Sequence, residues 1–286
     1  MKERICEMAL NTKLQVKQNL GEGLESIPSP FIEIQDLCKN YGTKTAVDHM
    51  SLSVFGGEVF GFLGPNGAGK TTTIKMIVGL LQPTSGTVKV AGYDMQKQPL
   101  KAKFSSGYVP DTPSLYPKLS ARELLRFVGD LYGLDPRKIN HRIEELLSLF
   151  GLAEAGDDLI DTYSHGMQQK ASLAAALMHD PKVLVLDEPT VGLDPKSARL
   201  IKDVLRQLAD RGSTVFVTTH ILEIAERMCD RIGIVNKGQL VAVGTMEELR
   251  SRGRGQALSS TSSTLEDIFL SLTGGVDTAE IAEVLQ

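Results

Sequence analysis

Val59-Phe-Gly-Phe-Leu-Gly-Pro-Asn-Gly-Ala-Gly-Lys-Thr-Thr-Thr-Ile-Lys-Met-Ile-Val78 joins an apolar run to a glycine-rich loop and then to a helical pattern. Val59 to Leu63 carries no charge, as expected of a strand covered on both faces in a parallel sheet. Gly64, Pro65, Asn66, Gly67, Ala68, Gly69, Lys70 and Thr71 fit the spacing G-x-x-x-x-G-K-[ST], and Thr72 opens the helix. The glycines let backbone N–H groups turn toward phosphate oxygens, and the helix N-terminus adds its positive end. In that arrangement Lys70 reaches the β- and γ-phosphates and the Thr71 hydroxyl binds Mg²⁺. A chance lysine beside a glycine turn does not explain the strand before it and the helix after it.

Val183-Leu-Val-Leu-Asp187-Glu188 is a second buried-strand pattern, ending in two carboxylates. Strand ends of this kind open on the crevice where α/β sheets bind ligands. Asp187 suits a Mg²⁺ shell through water, and Glu188 suits a general base that polarises the attacking water. Without the phosphate loop, Asp-Glu-Pro is only a strand-ending turn.

The remaining pattern fills in around these strands. Val215-Phe-Val is another continuous apolar run. Phe31-Ile-Glu-Ile-Gln, Ser51-Leu-Ser-Val-Phe and Thr87-Val-Lys-Val alternate, which predicts an antiparallel layer. Ser120-Ala-Arg-Glu123 is a capping box, followed by Leu124, Phe127, Val128 and Leu131 at helical spacing. Ile143, Leu146, Leu147 and Phe150 make a second stripe, stopped by Gly151; both stripes read as ordinary core faces. Asn236-Lys-Gly marks a hairpin, Ser251 to Thr264 reads as a loop, and Leu265-Glu-Asp-Ile-Phe-Leu-Ser-Leu reads as a short amphipathic helix. Residues 1–30, interrupted by Gly21, Gly23, Pro28 and Pro30, read as a flexible extension or as a contact helix for a partner.

Composition narrows the class. A chain of 286 residues with 42% hydrophobic and 23% charged residues is an ordinary globular protein. A net charge of -4 leaves no basic surplus for a nucleic-acid backbone, so no nucleic-acid partner is expected. Cys6, Cys38 and Cys229 have no paired spacing, which fits a reducing cytosol. No apolar run is long enough to cross a bilayer, and the start lacks a signal-peptide centre.

Tyr163-Ser-His-Gly-Met-Gln168 lies roughly one hundred residues after the phosphate loop and shortly before the acidic strand. Alone it is a helix cap, with Ser164 capping and Gly166 allowing close backbone approach. In this order of motifs it resembles the signature loop of the ABC ATPases, and the resemblance runs from about Phe31 to Val243. Val191-Gly-Leu-Asp194 resembles that family's D-loop, His220 its switch histidine, and Tyr41 the aromatic that stacks on adenine.

The resemblance implies an α/β fold: a RecA-like parallel core of the P-loop NTPases, an antiparallel β layer and a helical subdomain. The implied division is an extension at 1–30, an ATPase domain at 31–250 with its helical subdomain at about 108–170, and a loop and helical tail at 251–286. ATP and Mg²⁺ are the implied cofactors. Ser164 and Gly166 of one subunit would close over ATP held by a second subunit, giving a dimer most simply made of two copies. His220 would stabilise the γ-phosphate beside Glu188. The family usually has glutamine after Tyr-x-Pro, whereas Tyr108-Val-Pro110 is followed here by Asp111, which would hold a Mg²⁺-bound water.

Family members serve transport, translation and DNA maintenance. The chain has one phosphate loop and no sustained heptads, so transport is favoured over the other two. The variant signature, Asp111 and the tail resemble subunits of bacterial exporters of drugs, antibiotics, sodium or lipid-like molecules. The implied partner is an integral membrane permease, with this subunit docked on the inner face of the membrane.

Overall fold

The computed structural model describes residues 29–254 and 265–273. Most of the expected N-terminal extension, with its candidate contact helix, lies outside the described residues.

The 59–63 run is strand β3, and all five of its residues are buried. It pairs in parallel with β8 (Thr214–Thr218) and with β9 (Arg231–Asn236). Next to β8 lies β7 (Val183–Asp187), then β6 (Ser106–Val109) at one edge; β10 (Gln239–Gly244) closes the other edge by an antiparallel hairpin with β9. The sheet order is β10-β9-β3-β8-β7-β6. A second, antiparallel sheet has the order β2-β1-β4-β5, from β1 (Ile32–Tyr41), β2 (Lys44–Val54), β4 (Ser85–Val90) and β5 (Tyr93–Asp94). The expected α/β architecture is therefore present, with its parallel core and antiparallel layer.

The apolar runs are continuous because each parallel strand supplies both faces. Phe60, Phe62, Val183, Val185 and Phe216 point into one core, with Ile32, Ile34 and Val88 of the antiparallel layer and Ile74 and Ile77 of α1 (Lys70–Ile77). Phe216 packs against Phe60 and Phe62 with ring centroids 5.6 and 5.3 Å apart. Leu184, Leu186, Val215 and Val217 point the other way, toward helices. The helices of this second core are α3 (Ala121–Leu131), α4 (Pro136–Leu149), α5 (His165–Leu177) and α6 (Pro195–Asp210); α2 (Pro99–Phe104) follows the antiparallel layer.

Local signals hold well at helix starts. Ser120 Oγ accepts the Glu123 N–H at 3.2 Å and the Glu123 carboxylate accepts the Ser120 N–H at 2.9 Å, completing the capping box. The second stripe, Ile143 to Phe150, is buried as expected. The first stripe is corrected: Leu124 and Leu125 face the core, but Phe127 and Leu131 are 45% and 63% exposed. Helical spacing marks one face; it does not say that a neighbour covers the whole of it.

Boundaries move in other places. Tyr108 and Val109 belong to the parallel sheet, and α5 runs past residue 170 to Leu177, so the helical segment is offset from 108–170. Ser251 to Arg254, read as loop, finish α8 (Met246–Arg254). The tail forms α9 (Leu265–Thr273) as expected. Leu265 and Ile268 are 0% and 1% exposed, packed with Leu63, Ile232, Ile234 and Ala225, the last from α7 (Leu222–Met228). Asn236 Nδ2 donates to the Thr273 carbonyl at 3.3 Å and fastens the end of α9 to the sheet.

Because Ile268 fills the core beside Leu63, Ile268→Ala should lower unfolding free energy by roughly 2–5 kcal/mol. Leu270→Ala, at an exposed position of the same helix, should cost no more than about 0.5 kcal/mol. Urea unfolding of the two variants measures the difference.

Candidate active site

The phosphate loop leaves the end of β3 and returns as α1. Gly69, the residue before α1, has φ of 104° and leaves no room for a side chain, since a Cβ there would sit 2.4 Å from the Ala46 carbonyl oxygen. A Cβ on Gly64 would meet the Val235 carbonyl oxygen at the same distance. The loop is thus pressed against β2 and β9, and only glycine fits where it is pressed. Lys70 Nζ lies under the loop and donates to the Gly64 and Pro65 carbonyls at 2.6 and 3.2 Å. Burial pushes the Lys70 ammonium below its ordinary value, while the charges of Glu188 and Asp187 hold it up.

Thr71 faces the acidic strand. Its Oγ1 donates to Asp187 Oδ2 at 3.4 Å, and Thr218 Oγ1 donates to Asp187 Oδ1 at 2.5 Å. Asp187 is 2% exposed, and burial raises its carboxyl above the ordinary range. The Thr218 bond opposes that rise, while the nearby charges of Asp111 and Glu188 add to it. A buried carboxylate with two more acids around it is a receptive place for a divalent cation, which cancels the repulsion. Asp111 lies close enough for its charge to act on Asp187, and it also accepts the Thr112 N–H at 2.8 Å.

Glu188 turns away from the strand with φ of 49°, a left-handed backbone rare for glutamate and frequent where function fixes the geometry. Its N–H donates to the Thr218 carbonyl and to Thr218 Oγ1 at 3.2 and 3.1 Å. The carboxylate meets His220 twice, at Nδ1 (3.0 Å) and at the backbone N–H (3.3 Å). Phosphate loop, Asp187–Glu188 and His220 thus follow the C-terminal ends of β3, β7 and β8, and Asp111 follows β6. Thr218, which fixes both acids, stands outside the sequence motifs. A threonine ending the apolar run of β8 was the available signal.

A cavity of about 380 Å³ is lined by Tyr41, Lys44, Ala46, Asn66, Gly67, Gly69, Lys70, Thr71 and Thr72. Tyr41 is 50% exposed, with Lys39 Nζ 5.4 Å from the ring centroid. Stacking on a planar base is open to such a ring. A second cavity of about 270 Å³ joins Gly64, Pro65 and Asn66 to Thr219, His220, Leu222 and Phe269. The tail helix therefore reaches the site through Phe269, which nothing in the local sequence indicated.

Ser164, Gly166 and Asp194 stand apart from the other site residues. None of them lines either cavity beside the phosphate loop. Ser164 caps α5, its Oγ accepting the Met167 N–H at 3.3 Å, so the hydroxyl proton stays available. His165 packs beside Gly192 and Gly166 beside Leu193, so the signature loop abuts the Val191–Asp194 turn. Asp194 caps α6 by accepting the Ser197 N–H at 3.0 Å, and the Ser197 hydroxyl bond holds its carboxyl below the usual range.

A further groove of about 450 Å³ lies between the sheet and α3. Its lining includes Leu80, Tyr108, Leu115, Tyr116, Val128 and Tyr132. Leu80 and Tyr116 are 63% and 58% exposed, and Tyr116 meets the exposed Phe127 edge-on with centroids 5.7 Å apart. No helix among the described residues is long and apolar enough to cross a membrane.

Comparison with known proteins agrees with this geometry. Residues 47–191 match the family described as ABC transporter. The linearmycin resistance ATP-binding protein LnrL of Bacillus subtilis is 45% identical over 241 residues, covering 84% of this chain and 78% of LnrL. The Nod factor export ATP-binding protein I of Ralstonia nicotianae is 39% identical, over 82% of this chain and 73% of its own. Among solved structures, a dimer of the ATP-binding cassette MJ0796, in a post-hydrolysis state bound to ADP and Pi, superposes with a TM-score of 0.70 at 25% identity. It covers 75% of this chain and 98% of the MJ0796 chain. With its phosphate loop, its acidic pair and His220 gathered at the C-terminal ends of the parallel strands, the chain belongs to the ABC transporter family as an ATP-binding, ATP-hydrolysing subunit.

Proposed function

We propose that two copies of this chain bind two Mg-ATP between them and drive a separate membrane permease in the direction of export. The observation that carries the reading is the separation inside one chain: Lys70, Thr71, Asp187, Glu188 and His220 share one sheet edge, whereas Ser164 and Gly166 line neither cavity beside the phosphate loop. A second copy placed head to tail supplies the missing donors. The ATPase dimer known for MJ0796 supports such a pairing.

In this reading ATP stacks its base on Tyr41 and lays its phosphates along Gly64–Thr72. Lys70 exchanges the two loop carbonyls for phosphate oxygens, a stronger, charge-assisted bond. Thr71 and Asp187, with Asp111 through water, would hold the Mg²⁺ that accompanies the nucleotide, and the ion would offset the phosphate charge. Glu188 accepts a proton from the attacking water, and His220, oriented by Glu188, donates to the γ-phosphate. The helix start at Ser164 and Gly166 of the other copy faces that phosphate, with Asp194 beside the junction. Loss of the γ-phosphate removes what holds the two copies closed.

The permease docks in the apolar groove beside α3, on the inner face of the membrane. Exposed apolar side chains gathered at a groove mark an interaction surface. Export is supported by the names of relatives, which concern resistance to linearmycin and export of Nod factor. No observation favours translation or DNA maintenance.

Two outcomes follow. Glu188→Gln should bind ATP at wild-type affinity, lower kcat by about 10²–10⁴, and elute as an ATP-dependent dimer in size-exclusion chromatography; turnover at the wild-type rate removes Glu188 from the chemistry. Phe127→Glu combined with Leu80→Glu should leave basal ATP turnover intact and abolish co-purification of a multi-spanning protein from detergent-solubilised membranes. Undiminished recovery moves the docking face elsewhere.

A further inference from the structure

The antiparallel layer carries a group of side chains that nucleotide chemistry does not use. Cys38 of β1 and Asp48 and His49 of β2 bring a thiol, a carboxylate oxygen and an imidazole nitrogen within 4.8 Å of one another. Adjacent strand residues ordinarily point to opposite faces. Here the β1–β2 register shifts around Leu37, and His49 has φ of 45°, so Asp48 and His49 turn to the same place. Asp48 Oδ1 lies 2.7 Å from His49 Nδ1, and Cys38 Sγ accepts the His49 N–H at 3.3 Å. Gln239 Nε2 donates to the other Asp48 oxygen at 2.6 Å and orients the carboxylate from the β9–β10 hairpin. The negative charge of Asp36 also falls on His49.

We infer that Cys38, Asp48 and His49 form a site for one borderline-soft divalent cation, with Zn²⁺ the best chemical fit. A thiolate, an imidazole and a carboxylate are the donors Zn²⁺ prefers, and three protein ligands leave a fourth position for water. Tetrahedral ligands at ordinary zinc bond lengths stand about 3.3–3.7 Å apart, so Asp48 Oδ1 and His49 Nδ1, now 2.7 Å apart, must open while the widest pair, within 4.8 Å, closes. Cys38 is buried and fixed. The side chains of His49 and Asp48 are 71% and 33% exposed and supply the movement. Mg²⁺, the cation of the nucleotide, takes oxygen ligands in octahedral geometry and does not compete here.

The site is joined to the phosphate loop by a short path. The Asp48 N–H donates to the Gly238 carbonyl at 3.0 Å, and the Gly238 N–H donates to the Ala68 carbonyl at 2.9 Å. An ion bound to Asp48 braces the hairpin against which the loop rests.

Cobalt(II) substitutes for zinc in such sites and reports thiolate ligation by an intense near-ultraviolet charge-transfer band. The full chain, reduced and freed of metal with a chelator, is titrated with Co²⁺ in the presence of excess Mg²⁺; Zn²⁺ affinity is then measured by competition with a chromophoric chelator. A band that saturates at one Co²⁺ per chain, disappears on adding Zn²⁺ and persists in Cys6→Ser and Cys229→Ser is the expected result. Cys38→Ser should abolish the band while ATP binding continues, which shows that the variant is folded. His49→Gln, a change at an exposed side chain, should weaken Zn²⁺ by about tenfold or more. Absence of the band in the wild-type chain, its survival in Cys38→Ser, or unchanged Zn²⁺ affinity in His49→Gln overturns the assignment.

Discussion

The carboxylate of Asp187, shut inside the sheet edge between Thr218 and Thr71, is the constraint on which the rest of the site depends. Its position follows from parallel pairing, which sets Asp187 directly opposite Thr218. The register of β3 with β8 then brings the phosphate loop level with the segment that carries His220. Slip any of these strands by one residue and every side chain changes face. The apolar runs prevent that slip, because Phe60, Phe62 and Phe216 fit one core while Val215, Val217, Leu184 and Leu186 fit the other. Hydrophobic burial thus sets the coordinates of a polar site.

Local electrostatics are poised against one another. Asp187 is raised by burial and by neighbouring acids, whereas Lys70 is lowered by burial and held up by the charges of Glu188 and Asp187. A divalent cation beside Asp187 and a polyphosphate beside Lys70 would together satisfy both sides of this imbalance. Glu188 stands at the rim, its side chain 17% exposed and tied to His220, so the orientation of each depends on the other. Phe269 touches the same rim from behind, which makes the tail helix part of the wall of the site.

Sequence revealed most of this where the signal was local. Lys70, Thr71, Asp187 and Glu188 stand within motifs whose chemistry needs those residue types in that order, and the buried runs identified the parallel strands. Helix caps at Ser120 and Ser164 were legible because a capping side chain acts within a few residues. What stayed hidden depends on contacts distant in sequence. Thr218 gains meaning only through pairing with Asp187, Phe269 only through the packing of α9, and the exposure of Phe127 and Leu131 only through the absence of a covering neighbour. The Cys38–Asp48–His49 group likewise needs a strand register that no spacing rule supplies.

Asp187, together with Thr71, would hold the divalent cation that accompanies ATP. Electron paramagnetic resonance of Mn²⁺, a spectroscopic stand-in for Mg²⁺, measures this directly. In the wild-type chain Mn²⁺ should bind tightly only when ATP is present, and Asp187→Asn should weaken that ATP-dependent binding by about tenfold or more while ATP itself still binds. Equal Mn²⁺ affinity in Asp187→Asn and wild type would contradict that role, because the metal would then be held somewhere other than the end of β7.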